Sequence, residues 1–467
     1  MTIAEIVTKV TTGAASAVQI TQGALAKAES ASDYHALLSL TTERALERAK
    51  LIDEKIAKGE AVGRLAGVPF VAKDNFLAFG APTTAASQIL ENFNAPFQAT
   101  AIERLEAEGA ICIGKANLDA FAHGGSTENS AFGPTLNATD TTRVAGGSSG
   151  GSAVAVALGI VPFALGTDTG GSIRQPASFN GVVGLKPTYG TVSRYGVVAM
   201  ASSTDVIGPI ARTIADAELV LEVMAGKDEK DGTSLPGFFT PRADTPKKQT
   251  IGLIKEWMDE GVDAEVREAV EKQVAALRTA GHTVEEVSLP MARYSLAIYY
   301  IVVPAEISSN LARYDGVRYG RRAEAANLAE LYGRSRDESF VDENKRRIMI
   351  GSYVLSSGYF DAYYLQAQKA RTLLINEFNV LFTKYDALIG PVAPTPAFKL
   401  GENTEDPVKM YLADLMTVPA SLAGLPAVSV PAGVNSQGLP IGLQVIGARK
   451  ADAAILQLAK QLTGENK

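Results

Sequence analysis

The sequence predicts an α/β domain, because segments with helical and strand patterns alternate along the chain. In the first such region, an apolar strand in LAGVPFVAKDN precedes the helix ATAIERLEAEG, which ends at Gly109, and the strand AICIGKA. In a second region, the strand IGLIK precedes the helix AEVREAVEKQVAALRTAG and the strand HTVEEVSL. A helix that ends at glycine between two short strands is typical of layered α/β proteins.

The remaining segments predict one large domain, residues 61–467, preceded by an N-terminal helical arm, residues 1–60. Residues 43–58 place apolar side chains at helical spacing on a charged background. The charged, proline-bearing stretch at 227–248 predicts a surface excursion, a segment that leaves the core of the domain. The alternation of helix and strand patterns resumes after it. Residues 359–382 predict one long helix, and VSVPAG and LPIGLQVIG predict the last two strands.

Composition excludes several classes of protein. Acidic residues outnumber basic ones 51 to 44, which argues against a broad nucleic-acid footprint. A single cysteine rules out a disulfide framework and fits a reducing compartment. The first residues lack a cationic region followed by an apolar core, and the most apolar stretch, residues 153–165, is too short for a bilayer. We therefore expect a cytoplasmic protein without a membrane segment.

The scarcity of histidine and cysteine limits the chemistry further. His35, His123 and His282 are far apart, and none has a second histidine or a cysteine at ligand spacing, so we expect no metal site. Cys112 lies in the apolar run AICI, which predicts a small buried side chain rather than a nucleophile. Catalysis would therefore depend on serine, lysine, arginine or carboxylates.

Two glycine- and serine-rich clusters, AGGSSGGS and DTGGSIRQP, flank an apolar segment that predicts a buried helix and strand. Paired glycines allow backbone N–H groups to converge, and a serine after such a turn can act as a nucleophile whose oxyanion those groups bind. A lysine base can replace histidine in such sites. Lys73 follows the apolar run VPFVA, where burial would lower its pKa. The residues alone leave open that the clusters are ordinary turns and that Lys73 reaches solvent.

These motifs resemble the amidase signature family. Lys73 in VAKDN, Ser148 in AGGSSGGS and Ser172 in DTGGSIRQP have the order and spacing of its Ser-Ser-Lys triad. The resemblance implies a large mixed β-sheet covered by helices on both faces. It also implies that Ser172 is the acyl-forming nucleophile, that Lys73 is the base, and that Ser148, preceded by a cis peptide bond, relays the proton.

The same resemblance assigns the residues around the nucleophile. The backbone N–H groups of Thr169, Gly170 and Gly171 are expected to form the oxyanion hole. Asp168 and Arg174 flank this loop, and we interpret them as an ion pair that fixes the loop and takes no part in the chemistry.

Longer segments resemble one branch of the family, the A subunits of glutamyl-tRNA(Gln)/aspartyl-tRNA(Asn) amidotransferases. They include GVVGLKPTYGTVSRYGVVAMASSTDVIGP, RRIMIGSYVLSSGYFDAYY and MYLADLMTVPASLAGLPAVSVPAG. This resemblance implies a glutaminase that supplies ammonia for transamidation of a mischarged tRNA. It implies that Arg347 binds the α-carboxylate of glutamine and Asp414 its α-ammonium. Tyr299 is a further substrate-binding candidate, although the adjacent Tyr300 could take its role.

The resemblance also implies partners. A small stabilising subunit, together with a larger subunit that carries the tRNA and kinase functions, would complete a heterotrimer. ATP and Mg²⁺ are expected in the larger partner, tRNA is expected to bind mainly through it, and this chain is expected to need no cofactor.

Three alternatives compete with this interpretation. The first is a free-standing amidase of the same family acting on a small amide, which the triad motifs alone do not separate from the glutaminase of an amidotransferase. The second is an α/β-hydrolase elbow, since GGSSG and GSSGG fit G-x-S-x-G around Ser148 or Ser149, with His282 as the one later histidine. The third is a phosphate loop at 109–115, GAICIGK, where Ala116 replaces the hydroxyl that would bind Mg²⁺.

Overall fold

A single mixed β-sheet forms the centre of the molecule. The computed structural model describes residues 1–241, 248–259, 261–404 and 406–465, and these contribute 11 strands to the sheet. The strands are β1 (Leu37–Leu40), β2 (Pro69–Lys73), β3 (Ile111–Ala116), β4 (Phe163–Asp168), β5 (Val183–Lys186), β6 (Val206–Ala211), β7 (Thr250–Ile254), β8 (Thr283–Val287), β9 (Ala387–Pro391), β10 (Ala427–Val434) and β11 (Pro440–Ile446).

The strand order is β1-β3-β2-β4-β6-β5-β10-β11-β9-β7-β8. Strand β2 pairs in parallel with β3 and β4, and β7 pairs in parallel with β8 and β9. The other neighbours are antiparallel. The mixed sheet that the family resemblance implies is therefore confirmed.

Helices enclose the sheet. The described residues form α1 (Ile3–Thr11), α2 (Ala17–Ser30), α3 (Thr42–Ala57), α4 (Thr100–Ala107), α5 (Gly150–Ala157), α6 (Arg174–Phe179), α7 (Ile214–Met224), α8 (Ala264–Thr279), α9 (Ser295–Asn310), α10 (Leu328–Asp337), α11 (Asp342–Val354), α12 (Leu365–Leu381), α13 (Pro407–Leu412), α14 (Val418–Leu422) and α15 (Asp452–Thr463). Every residue of β2, β3, β4 and β11 is buried. Because successive side chains of a strand point to opposite faces, the central sheet is covered on both faces.

The alternation predicted from the sequence is confirmed. The first region forms β2, α4 and β3, and the second forms β7, α8 and β8. The flanked apolar segment forms α5 and β4, and the last two predicted strands are β10 and β11. The long helix predicted for 359–382 begins with a π-helical turn, Phe360–Tyr364, and continues as α12.

The N-terminal arm differs from the prediction in one respect. Residues 1–60 contain α1, α2 and α3 as expected, but they also contain β1, which the sequence analysis missed. Strand β1 is four residues long and is formed by pairing with β3, where Leu37 lies opposite Ala116. A strand that depends on such a distant partner leaves little periodic pattern of its own. The division at residue 60 stays a prediction.

The predicted surface excursion is partly described. Residues 227–241 form neither helix nor strand, and Asp231 in this stretch forms an ion pair with Arg194. Residues 242–247 of the excursion lie outside the described residues. Among the helices of the described ranges, none has both the length and the apolar character that a bilayer span requires.

Candidate active site

Lys73 is the last residue of β2, an interior strand of the sheet, and is fully buried. Its Nζ donates hydrogen bonds to Ser148 Oγ at 2.7 Å and to Thr167 Oγ1 at 2.9 Å. The alternative of a strand-end lysine that reaches solvent is therefore wrong. The structure joins two of the three predicted triad residues, which are 75 positions apart in sequence.

The environment of Lys73 favours its neutral form. Burial lowers the pKa of Lys73 from 10.5 to about 7, although the carboxylates of Asp119, Asp168 and Asp205 act in the opposite direction. A lysine with a pKa near neutrality has a lone pair in a large fraction of molecules at physiological pH. Lys73 can therefore accept a proton from the hydroxyl that it contacts.

Ser148 lies in the loop before α5, and the Gly147–Ser148 peptide bond is cis, at the position that the family resemblance implies. Gly147 N–H donates to Gln175 Oε1 at 2.8 Å, and Thr127 Oγ1 donates to Gly146 O at 2.7 Å. These hydrogen bonds connect the loop to α6 and to the segment that contains Thr127. Ser148 is fully buried, and these hydrogen bonds fix the backbone that carries the hydroxyl contacted by Lys73.

Ser172 lies in the turn between β4 and α6 and is 8% exposed. Its backbone carbonyl accepts a hydrogen bond from Ser149 N–H at 3.1 Å, which brings the two glycine- and serine-rich clusters together. Within the described chain no hydrogen bond joins the hydroxyls of Ser148 and Ser172. The proton relay through Ser148 therefore stays a prediction.

The loop before Ser172 offers backbone donors. The N–H groups of Thr169, Gly170 and Gly171 donate no hydrogen bond to any other described residue. Gly171 has φ 145°, in the region that residues with a side chain rarely adopt. Free, fixed N–H groups next to a serine are what an oxyanion hole requires, and their predicted role is compatible with this geometry.

Asp168 and Arg174 form the predicted scaffold ion pair. Arg174 Nε lies 2.9 Å from Asp168 Oδ2 and Nη2 lies 3.0 Å from Oδ1, and both side chains are fully buried. Arg174 also donates to Ser421 Oγ and to Thr417 O, both at 2.9 Å. The guanidinium therefore connects both ends of the nucleophile loop to α14 and the residue before it.

Arg347 and Asp414 line one cavity of about 60 Å³. Its lining includes Gly124, Gly125, Ser126, Glu128, Asn129, Tyr300, Glu343, Arg346, Met410 and Tyr411. The cavity thus presents a guanidinium and a carboxylate to the same small volume. This arrangement matches the opposite charges of a free α-amino acid.

A carboxylate and two aromatic rings hold the guanidinium of Arg347 in place. Arg347 is 2% exposed, and its Nε donates to Glu343 Oε1 at 2.7 Å. Its planar group packs against the rings of Tyr300 and Tyr411, at 5.1 and 5.7 Å from their centroids. The two terminal nitrogens donate no hydrogen bond within the described chain, so they remain available for a two-pronged contact with a carboxylate.

Asp414 lies two residues after the end of α13 and lines the cavity. Burial raises the pKa of Asp414 to about 8, while the charge of Arg347 acts in the opposite direction. A cationic ligand beside this carboxylate would favour its ionised form. Binding of an ammonium group and ionisation of Asp414 are therefore coupled.

The two adjacent tyrosines have different surroundings. Tyr300 lines the cavity, whereas Tyr299 is buried against the nucleophile loop. A Cβ atom at Gly170 would lie 2.8 Å from Tyr299 Oη, so the close approach of this ring requires glycine. The substrate contact predicted for Tyr299, with Tyr300 as its substitute, stays a prediction.

The sequence analysis missed two residues that hold this site together. Glu343 precedes Arg347 by one helical turn, a spacing that could have signalled the contact. Thr417 donates from Oγ1 to Gly170 O at 2.6 Å. Its partner lies 247 positions away, and no local pattern could have identified it.

The structure contradicts both alternatives outside the family. Among the described residues no strand directly precedes Ser148, and His282 bonds to Gln249 and Gln461 at the turn before β8, an edge strand seven positions from β4 in the sheet. Residues 111–116 form β3, where buried Lys115 pairs with Asp74 at 2.6 Å instead of facing a phosphate. In the described ranges, no group of three His, Cys, Asp or Glu side chains has an arrangement that could hold a metal ion.

Known proteins are similar to this chain along almost its whole length. Residues 19–456 match the Amidase family model. Similar proteins include the A subunits of glutamyl-tRNA(Gln) amidotransferases. The chain is 53% identical over 453 residues to that of Nostoc punctiforme, covering 95% of this chain and 93% of that protein. It is 52% identical over 461 residues to that of Carboxydothermus hydrogenoformans, covering 97% and 95%.

Two solved structures have the same fold. The Thermotoga maritima member of these A subunits superposes with a TM-score of 0.81 at 39% identity, over 99% of this chain and 94% of that one. A bacterial aryl acylamidase of the amidase signature family superposes with a TM-score of 0.87 at 26% identity, over 99% and 96%. The family model and these relatives match almost the full length of the chain, which also contains Lys73 and the two glycine- and serine-rich clusters. The chain belongs to the amidase family.

Proposed function

We propose that this chain is the glutaminase subunit of a tRNA-dependent amidotransferase. It would hydrolyse glutamine and supply the ammonia that converts Glu-tRNA(Gln) to Gln-tRNA(Gln), or Asp-tRNA(Asn) to Asn-tRNA(Asn). The observation that carries the proposal is the cavity that both Arg347 and Asp414 line, in a chain that also joins Lys73 to Ser148. The two relatives described above, glutamyl-tRNA(Gln) amidotransferase A subunits that are 53% and 52% identical to this chain, support it.

The proposed chemistry combines the observed Lys73–Ser148 contact with the roles that the family resemblance implies for Ser148 and Ser172. Neutral Lys73 accepts the proton of Ser148, which in turn accepts the proton of Ser172 as Ser172 Oγ attacks the side-chain carbonyl carbon of glutamine. The loop N–H groups stabilise the resulting oxyanion. Return of the proton to the amide nitrogen releases ammonia and leaves a glutamyl ester on Ser172. Water then hydrolyses this ester by the same proton path and releases glutamate.

Arg347 should determine substrate affinity more than turnover. Arg347→Lys keeps the charge but loses the two-pronged geometry, so KM for glutamine should rise about 10- to 100-fold while kcat falls by less than about threefold. Steady-state glutaminase kinetics measure the split. Arg336→Lys is a matched control, because Arg336 also packs on a ring, that of Phe340, but does not line the cavity. A large fall in kcat at unchanged KM would assign Arg347 to the chemical step instead.

We propose two partner chains: a small stabilising subunit, and a larger subunit that carries the tRNA, ATP and Mg²⁺ sites. The subunit designation of the relatives supports the existence of partners, and the excess of acidic residues argues against tight tRNA binding by this chain alone. A cytoplasmic location fits this role and the single, buried cysteine.

Purification of the tagged chain from its native host tests the assembly. Two further chains should co-purify, and the assembled enzyme should hydrolyse glutamine faster than the isolated chain. The isolated chain should bind tRNA only weakly at physiological salt. Recovery of a monomer that hydrolyses small amides at full rate would favour the free-standing amidase. That alternative has weaker support, since the amidases of similar fold are 26 to 33% identical to this chain.

A further inference from the structure

Thr417 connects the nucleophile loop to the segment that carries Asp414. Thr417 is fully buried, and its Oγ1 donates to Gly170 O at 2.6 Å, with Asp414 O at 3.1 Å from the same hydroxyl. A hydroxyl has one proton, so the shorter contact is its main hydrogen bond. The proposed reaction gives this hydroxyl no role, although it contacts a residue two positions before the nucleophile.

The bond to Gly170 fixes a peptide plane. Gly170 C=O and Gly171 N–H belong to one planar trans peptide, in which the oxygen and the hydrogen point in opposite directions. Holding the oxygen at Thr417 therefore sets the direction of the Gly171 N–H, one of the predicted oxyanion donors. A Cβ atom at Gly171 would lie 2.2 Å from Thr417 Oγ1, so the hydroxyl occupies the space that a side chain would need.

Other contacts hold the neighbouring peptides of the loop. Gly171 O accepts from Gln175 N–H at 2.8 Å, in the first turn of α6, which fixes the peptide that carries Ser172 N–H. Thr169 Oγ1 donates to Asp205 Oδ1 at 2.7 Å. Loss of the Thr417 contact would thus free the Gly170–Gly171 peptide while its neighbours stay in place.

We infer that Thr417 is a positioning residue whose hydroxyl directs Gly171 N–H toward the oxyanion that forms when Ser172 attacks the amide. This inference rests on the proposed glutaminase function. A preorganised donor stabilises the transition state only when it points at the developing charge. Because Thr417 lies three residues after Asp414, the substrate-binding segment also sets the orientation of the oxyanion donor.

Three variants at this position test the inference in the assembled enzyme. Thr417→Val keeps the shape but removes the hydroxyl, and kcat for glutamine should fall about 10- to 100-fold, somewhat less than the loss for a deleted oxyanion donor. KM should change by less than about twofold. Thr417→Ser keeps the hydroxyl and should retain kcat within about threefold. Thr417→Ala, which adds no methyl group against Gly171, should behave as the valine variant, so the test does not depend on one substitution.

A matched control distinguishes the effect of losing this particular hydroxyl from the effect of losing any buried hydroxyl. Thr41 is also buried, and its Oγ1 donates to a backbone carbonyl, Cys112 O, at 2.7 Å, at the β3 side of the sheet. Thr41→Val removes the same kind of hydrogen bond and should leave kcat within about twofold.

A transition-state probe gives a readout that a general loss of stability would not move. The boronic acid analogue of glutamine, in which a boronate replaces the side-chain amide, can form a tetrahedral adduct with Ser172. Its affinity should fall in Thr417→Val by the same factor as kcat/KM, while the affinity for the product glutamate stays unchanged.

Three results would overturn the inference: kcat within threefold of the parent enzyme in both variants without the hydroxyl, a serine variant as impaired as the valine variant, or a loss confined to KM. Failure of the proposed function has a different result. If Ser172→Ala kept glutaminase activity, the proposed reaction would be wrong, whereas an inactive Ser172→Ala beside a fully active Thr417→Val would reject the role of Thr417 alone.

Discussion

Ser172→Ala should abolish glutamine-dependent activity, by about 10⁴-fold or more in kcat, because the substitution removes the atom that forms the acyl-enzyme. The assembled enzyme should keep its activity with added ammonium, since external ammonia does not require the amide to be hydrolysed. Measuring transamidation with glutamine and with ammonium in parallel gives the two rates on one preparation.

Ser178→Ala is a suitable control for this substitution. Ser178 is a buried serine of the adjacent helix α6, but its position in the last turn separates it from the loop at 169–172. Its replacement should leave both rates within about twofold. Normal glutamine-dependent turnover in Ser172→Ala would show that another group attacks the amide.

Lys73→Arg should be as damaging as Lys73→Ala, with kcat lower by about 10²- to 10⁴-fold in both. Arginine keeps its proton at every accessible pH, so it preserves a positive charge but cannot accept the proton of Ser148. Glutaminase assays of the two variants side by side distinguish a base from a charge. An arginine variant with a rate near that of the parent enzyme would show that the charge alone is needed.

The pH dependence of kcat should report the same group. Because burial lowers the pKa of Lys73 to about 7, the active neutral form is lost as pH falls, and kcat should drop about tenfold for each unit well below pH 7 and level off above pH 8. kcat is the useful quantity because Asp414, whose pKa burial raises to about 8, should already be ionised by the ammonium of bound glutamine. A kcat that is flat from pH 5 to 8 would contradict a lysine base.

Local sequence patterns could predict much of the fold. The segments that form β2, α4 and β3 have the periodicity of their own elements, and each is followed directly by a polar residue. Strand β1 could not be predicted in this way, because it is formed by pairing with β3, which lies more than 70 residues later. Its four residues carry no distinct pattern.

The candidate site, like the fold, could be predicted from the sequence only in part. Local sequence patterns identify the chemical groups of the site: a lysine at the end of an apolar strand, two glycine- and serine-rich clusters, and an Asp168–Arg174 pair six residues apart that was predicted and is formed. Their residue types and short spacings dictate what chemistry is possible, and the chain encodes those features locally.

Which of these groups come into contact depends on how distant segments pack in the fold. Lys73 contacts Ser148 because β2 and the loop before α5 come together at the sheet, and Arg347 of α11 shares a cavity with Asp414, which follows α13. The bond from Thr417 to Gly170 spans 247 positions. Contacts at such separations depend on how whole elements pack, not on the periodicity of any one segment, so the composition of the site was determined by the sequence and its geometry by the sheet.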